Sequence, residues 1–434
     1  MERKLKHSSK HRIPAEAADY IALDNSSIIY PPTEAKFNSN VFRISAELKE
    51  TVKPRVLESA LCDVLDRLPY FRTRLREGFF WYYLASNPAK PHVFEDGPRP
   101  CARILNDRSL DGYLFRVSYF ANRVAVDFFH ALTDGGGGKT FLLSLLARYF
   151  ELQGYVIDAD PGIIQCRSKP QKWETEDLFH KLYRKLPFPD PIRGSYHLKG
   201  VLAENTHFIS AELGLESLKA ASHRFGCTIN ELFASVLVKV LLEREEKERR
   251  RSPVQISVPM GLRPIYKLDT LRNFSLFAVV SIDPRLGPYT LEEIIRTVHL
   301  QMQIQLDTKE LDRMVSRNVT GERLVGAVPN FIKKPFFKIL TDRLGDNQYT
   351  ATLSNLGSIR IPAGMAALIE RFDFFLAPNK KNILECAAAG FNDKVTFNFN
   401  SYLSSDVSVE RGFFCALVQM GVPVKVCSNR GGDF

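Results

Sequence analysis

The sequence predicts an α/β protein of two domains, each a mixed β-sheet flanked by helices. A chain of 434 residues is too long for one ordinary hydrophobic core. Strand and helix patterns occur together on both sides of the middle of the chain, whereas residues 161–205 are rich in proline and weakly periodic. We therefore divide the chain into an N-terminal domain (1–160), a crossover linker (161–205) and a C-terminal domain (206–434).

Strand and helix patterns alternate in the N-terminal part. Residues 41–48 alternate apolar and polar side chains as a strand does, and residues 53–68 have helical spacing that ends before Pro69. The segment Ala121-Asn122-Arg123 separates two apolar runs, which predicts a hairpin. The predicted strands are 41–48, 71–75, 79–85, 113–120 and 124–130, and the predicted helices are 53–68 and 140–152.

The C-terminal part contains the same mixture of patterns. Thr228 with Glu231, and Thr290 with Glu293, have the spacing of a capping box, which marks the first residues of a helix. The predicted helices are 215–225, 228–246, a long segment from 290, and 407–420. The predicted strands are 252–260, 273–283, 349–355, 367–377, 383–391 and 394–402.

Charge and cysteine content restrict the class of protein. Lys and Arg total 59 against 49 Asp and Glu, and the net charge of +10 favours anionic partners such as nucleic acid, anionic lipid or a phosphorylated cofactor. The seven cysteines are scattered and form no C-x-x-C pair. This pattern argues against a disulfide framework and against a zinc site, so we expect reduced thiols and no bound metal.

The sequence does not indicate export, membrane insertion or nucleic-acid binding. Pro14, Glu16 and Asp19 stand where a signal peptide needs apolar residues, and no run approaches the length of a membrane-spanning helix. The run EREEKERRR (243–251) is typical of a solvated helix end, and no aromatic residues flank it as a single-stranded nucleic-acid site would require. We expect a soluble, cytoplasmic monomer.

The stretch FFHALTDGGGGKT (128–140) carries the main candidate functional residue. A strand that ends in a turn would expose His130 at the edge of the sheet, and its pKa suits proton transfer near neutral pH. Asp134 would brace the turn, and the glycines would let a substrate approach the backbone. A histidine beside a glycine-rich turn is more often a packing residue, so both interpretations stay open on this stretch alone. A phosphate-binding P-loop is excluded because Thr133 stands where the first glycine of that motif is required.

The segment HALTDG (130–135) resembles the H-x-x-x-D-G signature of acyltransferases related to chloramphenicol acetyltransferase. That superfamily includes plant BAHD acyltransferases, alcohol acetyltransferases, mycobacterial polyketide-associated acyltransferases and the condensation domains of peptide synthetases. Three further segments resemble the family in the family's order: LPYFRTRL (68–75), SVPMGLRP (257–264) and TLSNLG (352–357). The resemblance implies a chloramphenicol-acetyltransferase-like fold in each half, with a channel between the halves and His130 near its middle.

The sequence departs from the family pattern at two places, and each departure favours one branch of the family over another. Phe129 stands where condensation domains usually carry a second histidine, which makes amide condensation on a carrier protein less favoured than simple acyl transfer. The D-F-G-W-G motif of plant BAHD enzymes is absent, which favours the alcohol-acetyltransferase branch.

The resemblance implies an acyl-CoA-dependent O-acyltransferase with His130 as general base and no covalent acyl-enzyme. The resemblance also implies that Asp134, beside Gly135, forms a structural salt bridge with Arg263 and that this pair holds the loop that carries His130. The alternative that Arg263 is an ordinary surface residue stays open. Ser354 and Asn355 are candidate oxyanion donors, although a polar turn at a strand end is the alternative.

The implied co-substrate is acyl-CoA, most simply acetyl-CoA, and the implied acceptor is a small-molecule alcohol or amine. The positive net charge fits the phosphates of CoA, and Lys139 would bind them only if CoA approaches that helix start. Two alternatives are a condensation-type enzyme with a carrier-protein-bound thioester, and a catalytically inactive binding protein of the same fold.

Overall fold

The structure is a computed structural model that describes residues 20–187, 194–248, 252–326, 328–333 and 349–429. The strands are β1 (Tyr20–Ala22), β2 (Val41–Leu48), β3 (Thr73–Glu77), β4 (Tyr82–Ser86), β5 (Val93–Glu95), β6 (Phe115–Phe120), β7 (Arg123–Phe129), β8 (Leu202–Gly214), β9 (Val254–Gly261), β10 (Ser275–Ile282), β11 (Ala351–Ser358), β12 (Ile369–Leu376), β13 (Leu384–Phe391), β14 (Lys394–Leu403) and β15 (Val424–Ser428).

The α-helices lie between and after these strands. They are α1 (Tyr30–Thr33), α2 (Pro54–Arg67), α3 (Gly135–Glu151), α4 (Leu178–Leu182), α5 (Leu215–Arg224), α6 (Ile229–Glu248), α7 (Arg263–Tyr266), α8 (Leu291–Gln305), α9 (Thr308–Val325), α10 (Ala363–Ala366) and α11 (Ser408–Gln419). Both capping boxes are present: the Thr228 backbone N–H donates to Glu231 at 2.8 Å, and Thr290 donates to Glu293 at 2.8 Å.

The first sheet has the strand order β12-β2-β7-β6-β5. Its pairs are antiparallel except β5 with β6, so the sheet is mixed. Helices α2 and α3 pack against each other, and α3 packs against β2. A cluster of aromatic rings, with Phe71, Phe128 and Phe141 all fully buried, fills the core beneath the strand that leads to His130.

The second sheet has seven strands in the order β10-β9-β11-β13-β14-β8-β15. The pairs β9 with β11 and β11 with β13 are parallel, and the others are antiparallel. Helices α6, α8 and α11 cover this sheet, and α6 packs against both of the others. The fold class is confirmed: the protein has two mixed sheets, each flanked by helices. A small third sheet, β1-β4-β3, lies apart from both.

One strand of the C-terminal part completes the first sheet. Strand β12 pairs with β2 through its backbone. Side chains of β14, in the second sheet, bond to the carbonyl groups of β12: Thr396 donates to the Phe372 carbonyl at 2.7 Å, and Asn398 and Asn400 donate to the next alternate carbonyls at 2.9 and 2.8 Å. We call these three residues the β14 ladder. The domain boundaries at 160 and 206 stay a prediction, and residues 369–376 belong to the sheet formed otherwise by the N-terminal part.

The structure differs locally from the prediction, most clearly at α3 and at β8. Helix α3 begins at Gly135 and not at Thr140, because the Asp134 side chain accepts a hydrogen bond from the Gly137 backbone and caps the helix there. The glycines are therefore the first turn of a helix. The thirteen residues of β8 form a strand inside the second sheet, where no strand is predicted.

No single helix within the described ranges has the length and apolar composition to cross a membrane. The bent pair of α5 and α6 passes that test by length and composition alone.

Candidate active site

A cavity of about 910 Å³ is lined by residues from both parts of the chain. The lining comes from β2 and β12 of the first sheet, from His130 and the start of α3, and from β9 and β11 of the second sheet. All the residues singled out in the sequence line this cavity: His130, Asp134, Gly135, Lys139, Arg263, Ser354 and Asn355. The structure thus brings together residues from three separate segments of the chain.

His130 follows directly on the last residue of β7 and is held on several sides. Its backbone N–H donates to the Asn40 carbonyl at 2.8 Å. Its ring stacks on Tyr30, with 4.5 Å between ring centroids and 19° between planes, and meets the edge of Phe42 at 5.1 Å. These contacts fix the ring plane, while the side chain keeps a face on the cavity.

Asn273 determines which nitrogen of His130 carries the proton. The Asn273 amide nitrogen lies 2.8 Å from Ser27 Oγ and 3.1 Å from the His130 carbonyl oxygen, which can only accept. The amide oxygen therefore faces His130 Nδ1, at 3.0 Å, and must accept from an Nδ1–H group. In this tautomer Nε2 has the free lone pair and is the nitrogen able to take a proton.

Burial keeps the imidazole neutral. It lowers the pKa of His130 below its ordinary value of 6.5, and the nearby Asp134 carboxylate offsets only part of this effect. A neutral imidazole at neutral pH is the form that a general base requires.

Asp134 and Arg263 form the predicted ion pair. Both carboxylate oxygens of Asp134 accept from the guanidinium at 2.9 Å, and one also accepts from the Phe274 backbone N–H at 2.8 Å. Arg263 donates further to the Thr270 and Arg272 carbonyls. Burial raises the pKa of Asp134, but Arg263 and the hydrogen bonds outweigh burial and hold that pKa below 3.8. Asp134 is thus an ionised structural residue and does not exchange protons with His130.

The four glycines of the motif allow close packing of protein against protein. A Cβ on Gly136 would lie 2.6 Å from the Arg263 guanidinium, and one on Gly138 would lie 2.9 Å from the ring of Phe42. A Cβ on Gly137 would overlap the Leu271 carbonyl oxygen. The close neighbours of these three are thus side chains and backbone of the protein itself. That glycines serve the approach of a substrate stays a prediction for Gly135 and Gly136, which line the cavity.

The two oxyanion candidates differ in how they are held. Asn355 is engaged: its amide oxygen accepts from the Gly357 backbone N–H at 2.8 Å, and its amide nitrogen faces Asn230 at 3.4 Å. The Ser354 hydroxyl has no hydrogen bond to any other described residue, although it lines the same cavity. The Ser354 hydroxyl is therefore free of described partners, whereas the Asn355 side chain is held in place at both its oxygen and its nitrogen.

Several residues that support His130 have no signal in the sequence. Asn273 is one, and Asp24 is another: it is buried, and its carboxylate accepts from the Asn273 backbone and side chain at 3.3 Å. Tyr30 is a third. All three lie far from His130 in the sequence, so no local pattern connects them to it. The Asp24 carboxylate also accepts from the Ser27 backbone N–H at 2.8 Å, which is a turn interaction and carries no indication of the site. Among the described residues, no group of three or more His, Cys, Asp or Glu is arranged to hold a metal ion.

The chain matches no established protein-family model. It is 23% identical over 254 residues to an uncharacterized protein of Mycobacterium tuberculosis, a match that covers 56% of this chain and 58% of the relative. The chain thus spans little more than half the length of the curated relatives that it matches.

Comparison with solved structures defines the fold as that of acetyltransferases and condensation domains. TRI101 of F. graminearum, complexed with coenzyme A and deoxynivalenol, superposes with a TM-score of 0.62 at 11% identity over 91% of this chain and 97% of that one. TRI3 trichothecene 15-O-acetyltransferase from Fusarium sporotrichioides gives 0.58 at 12%, over 92% and 93%. The starter condensation domain of rhizomide synthetase, in complex with C8-CoA and Leu-SNAC, gives 0.58 at 11%, over 95% and 97%.

Proposed function

We propose that this protein is an acyltransferase that moves an acyl group from a CoA thioester to a hydroxyl of a small-molecule acceptor. The observation that carries the proposal is a neutral His130 in a cavity of substrate size, with its Nδ1 proton bound by Asn273 and its Nε2 lone pair free. A nitrogen base in this state is what an alcohol needs when it attacks a thioester.

In the proposed reaction the acceptor oxygen forms a bond to the thioester carbon while its proton passes to His130 Nε2. The carbon–sulfur bond of the resulting tetrahedral intermediate then breaks, and the departing thiolate takes the proton from the imidazolium. The products are an ester and free CoA, and no covalent acyl-enzyme is formed. The His130 contribution as general base and acid is about 10²–10⁴-fold.

We assign the oxyanion donor to Ser354, not to Asn355. An oxyanion donor must be free to bond to the substrate oxygen as charge develops, and such a donor commonly contributes about 3–4 kcal/mol. The Asn355 side chain is held by Gly357 and Asn230 and keeps only one of its two N–H groups without a described partner, whereas the Ser354 hydroxyl has no described partner and can rotate toward the substrate oxygen.

CoA as the donor is supported by the CoA bound in TRI101 and by the C8-CoA bound in the rhizomide condensation domain. The net charge of +10 also suits a phosphorylated co-substrate. An acetyl group as the transferred group is supported by the likeness to TRI3, a trichothecene 15-O-acetyltransferase. All seven cysteines are free thiols, which supports a reducing compartment such as the cytoplasm.

The second candidate is a condensation-type enzyme that takes its acyl group from a carrier protein. The fold shared with condensation domains favours it, and Phe129 in place of their second histidine disfavours it. A catalytically inactive binding protein is disfavoured by the intact arrangement of His130, Asp134 and Arg263.

A screen of acyl-CoAs against pooled alcohols and amines tests the proposal, with release of free CoA thiol and product mass as the readouts. We expect thiol release that depends on the alcohol, together with a new ester mass. Transfer only from an acylated carrier protein would favour the condensation-type enzyme. Absence of transfer from every donor, in protein shown to be folded, would contradict both enzymatic assignments.

A further inference from the structure

Lys139 lies within the cavity on the same helix as the motif glycines. It follows Gly135 by four residues, so both lie on one face of α3, and both line the cavity. Long helical side chains lean back toward the helix N-terminus, and the charge of Lys139 interacts with the charges of Arg263 and Asp134.

The ammonium of Lys139 is partly buried and has no hydrogen bond or ion pair with any described residue. Burial lowers its pKa, the Arg263 guanidinium lowers that pKa further, and Asp134 offsets part of both effects. Taking an ammonium group out of water without a partner is unfavourable, and such charges in proteins are usually paired or bind ligands.

The other cations that line the cavity differ from Lys139. Arg263 is neutralised by its bidentate pair with Asp134. Lys267 is exposed, so water satisfies its charge. Lys139 thus combines partial burial, a place in the cavity and the lack of a described counter-ion.

We propose that Lys139 binds an anionic oxygen group, a carboxylate or a phosphate, of the molecule that occupies the cavity. This inference rests on the proposed function, because it assigns a charged group to the substrate of the same site. The anionic oxygen would accept a charge-assisted hydrogen bond from the Lys139 ammonium and would serve as its counter-ion.

The position of Lys139 distinguishes two sources of the anion. In acyl-CoA the pantetheine arm separates the thioester, which must lie beside His130, from the phosphates. A carboxylate on the acceptor or on the acyl group can reach the ammonium with the reacting atoms in place. Phosphates of CoA reach it only if the arm folds back along α3.

Binding without turnover tests the proposal. The probes are coenzyme A, pantetheine, inorganic diphosphate, and the dicarboxylates malonate, succinate and glutarate with their monomethyl esters, each titrated calorimetrically into wild type, Lys139→Met and Lys139→Arg. We expect at least one anionic probe to lose about tenfold or more in affinity with Lys139→Met and to recover with Lys139→Arg. Loss for coenzyme A but not pantetheine identifies a phosphate, and loss for a dicarboxylate but not its monoester identifies a carboxylate.

Lys49→Gln is the matched control, because Lys49 is an exposed lysine outside the cavity and its loss changes the net charge equally. It should leave every affinity unchanged. If no anionic probe shows binding that depends on Lys139, the proposal is overturned. Because this readout needs no acyl transfer, a failed activity screen and a failed binding test are separate results.

Thermal unfolding without ligand gives a second test. If Lys139 lacks a partner in the free protein, Lys139→Met removes an unpaired charge and should leave Tm unchanged or higher. A fall of more than about 2 °C relative to Lys49→Gln would mean that Lys139 stabilises the fold through a partner of its own, and would overturn the proposal.

Discussion

Two of the buried junctions between the two parts of the described chain have opposite chemistry. At the first, the charged pair Asp134–Arg263 connects the start of α3 to the segment after β9. At the second, the neutral β14 ladder donates three hydrogen bonds to the carbonyl groups of β12. Side chains at both junctions are largely removed from water.

The two junctions differ in whether they contact the residues that position His130. Asp134 caps the helix that begins just after His130, and it also accepts from Phe274, next to Asn273. A change in the charged pair therefore displaces His130 and its hydrogen-bond partner together. The β14 ladder bonds mainly to the backbone of β12, and Thr396 also donates to the Ala389 carbonyl in β13 at 3.2 Å. None of these bonds involves His130 or Asn273, so loss of the ladder should weaken the fold while the histidine keeps its hydrogen bonds.

The largest effect is expected at the charged junction. Asp134→Asn or Arg263→Met leaves one buried charge without its partner, which costs roughly 3–5 kcal/mol of unfolding free energy. Each variant should also lose activity, through displacement of the His130 loop. Chemical denaturation and kcat measure the two losses.

A double-mutant cycle sharpens this result. Because both charges vanish together, the variant with Asp134→Asn and Arg263→Met should lose less than the sum of the two single losses. Strict additivity in both stability and kcat would mean that the charged pair does not hold the catalytic loop.

Asn273→Ala should have the next largest effect on activity, a loss of at least about tenfold in kcat/KM, because His130 loses the acceptor for its Nδ1 proton. The diagnostic readout is the tautomer, measured by two-bond nitrogen–proton correlations of the His130 ring. Wild type should show the Nδ1–H form and the variant a mixture. An unchanged tautomer would show that Asn273 acts on stability alone.

A smaller and purely structural effect is expected at the neutral junction. Asn398→Ala removes the donor to the Phe374 carbonyl, and a buried unpaired carbonyl costs about 1–3 kcal/mol. The folded variant should keep the kcat of wild type within about twofold. A tenfold loss of kcat would contradict the difference between the two junctions.

The pH dependence separates the junctions further. Because burial lowers the pKa of His130, kcat/KM should stay constant as the pH falls to 6.5 and should decline only below it. The lowered pKa also affects stability. Between pH 6.5 and the lowered pKa of folded His130, the unfolded chain binds more protons than the folded one. The free energy of unfolding therefore decreases as the pH falls from 6.5 through the lowered pKa. Asn398→Ala should retain this profile. An acid limb above 6.5 would contradict a neutral, buried base.

Local features of the fold could be predicted from the sequence because their causes are local. The hairpin around Ala121-Asn122-Arg123 and the capping boxes at Thr228 and Thr290 depend on residues a few positions apart. Strand β8 has no clear signal in the sequence, because polar residues interrupt its alternation and its pairing partners β14 and β15 lie far along the chain. The start of α3 was placed too late because glycine disfavours helices, and the close packing that selects glycine there involves Arg263 and Leu271.

In the candidate site, too, some residues could be predicted from the sequence and others could not. The motif identified His130 and Asp134, and the family's order of segments pointed to Arg263. Asn273, Asp24 and Tyr30 lie far from His130 in the sequence and belong to no motif, so only the structure connects them to the imidazole. Likewise, the apolar pattern of residues 367–377 predicts a strand but contains nothing that assigns it to the first sheet.

The most direct test of His130 as the general base is the turnover of the His130→Ala variant, measured with an acyl-CoA and an acceptor identified in the screen. We expect a fall in kcat of at least about 10²-fold, while the variant stays folded and binds CoA as wild type does. Turnover close to that of wild type would contradict the assignment of His130 as the general base.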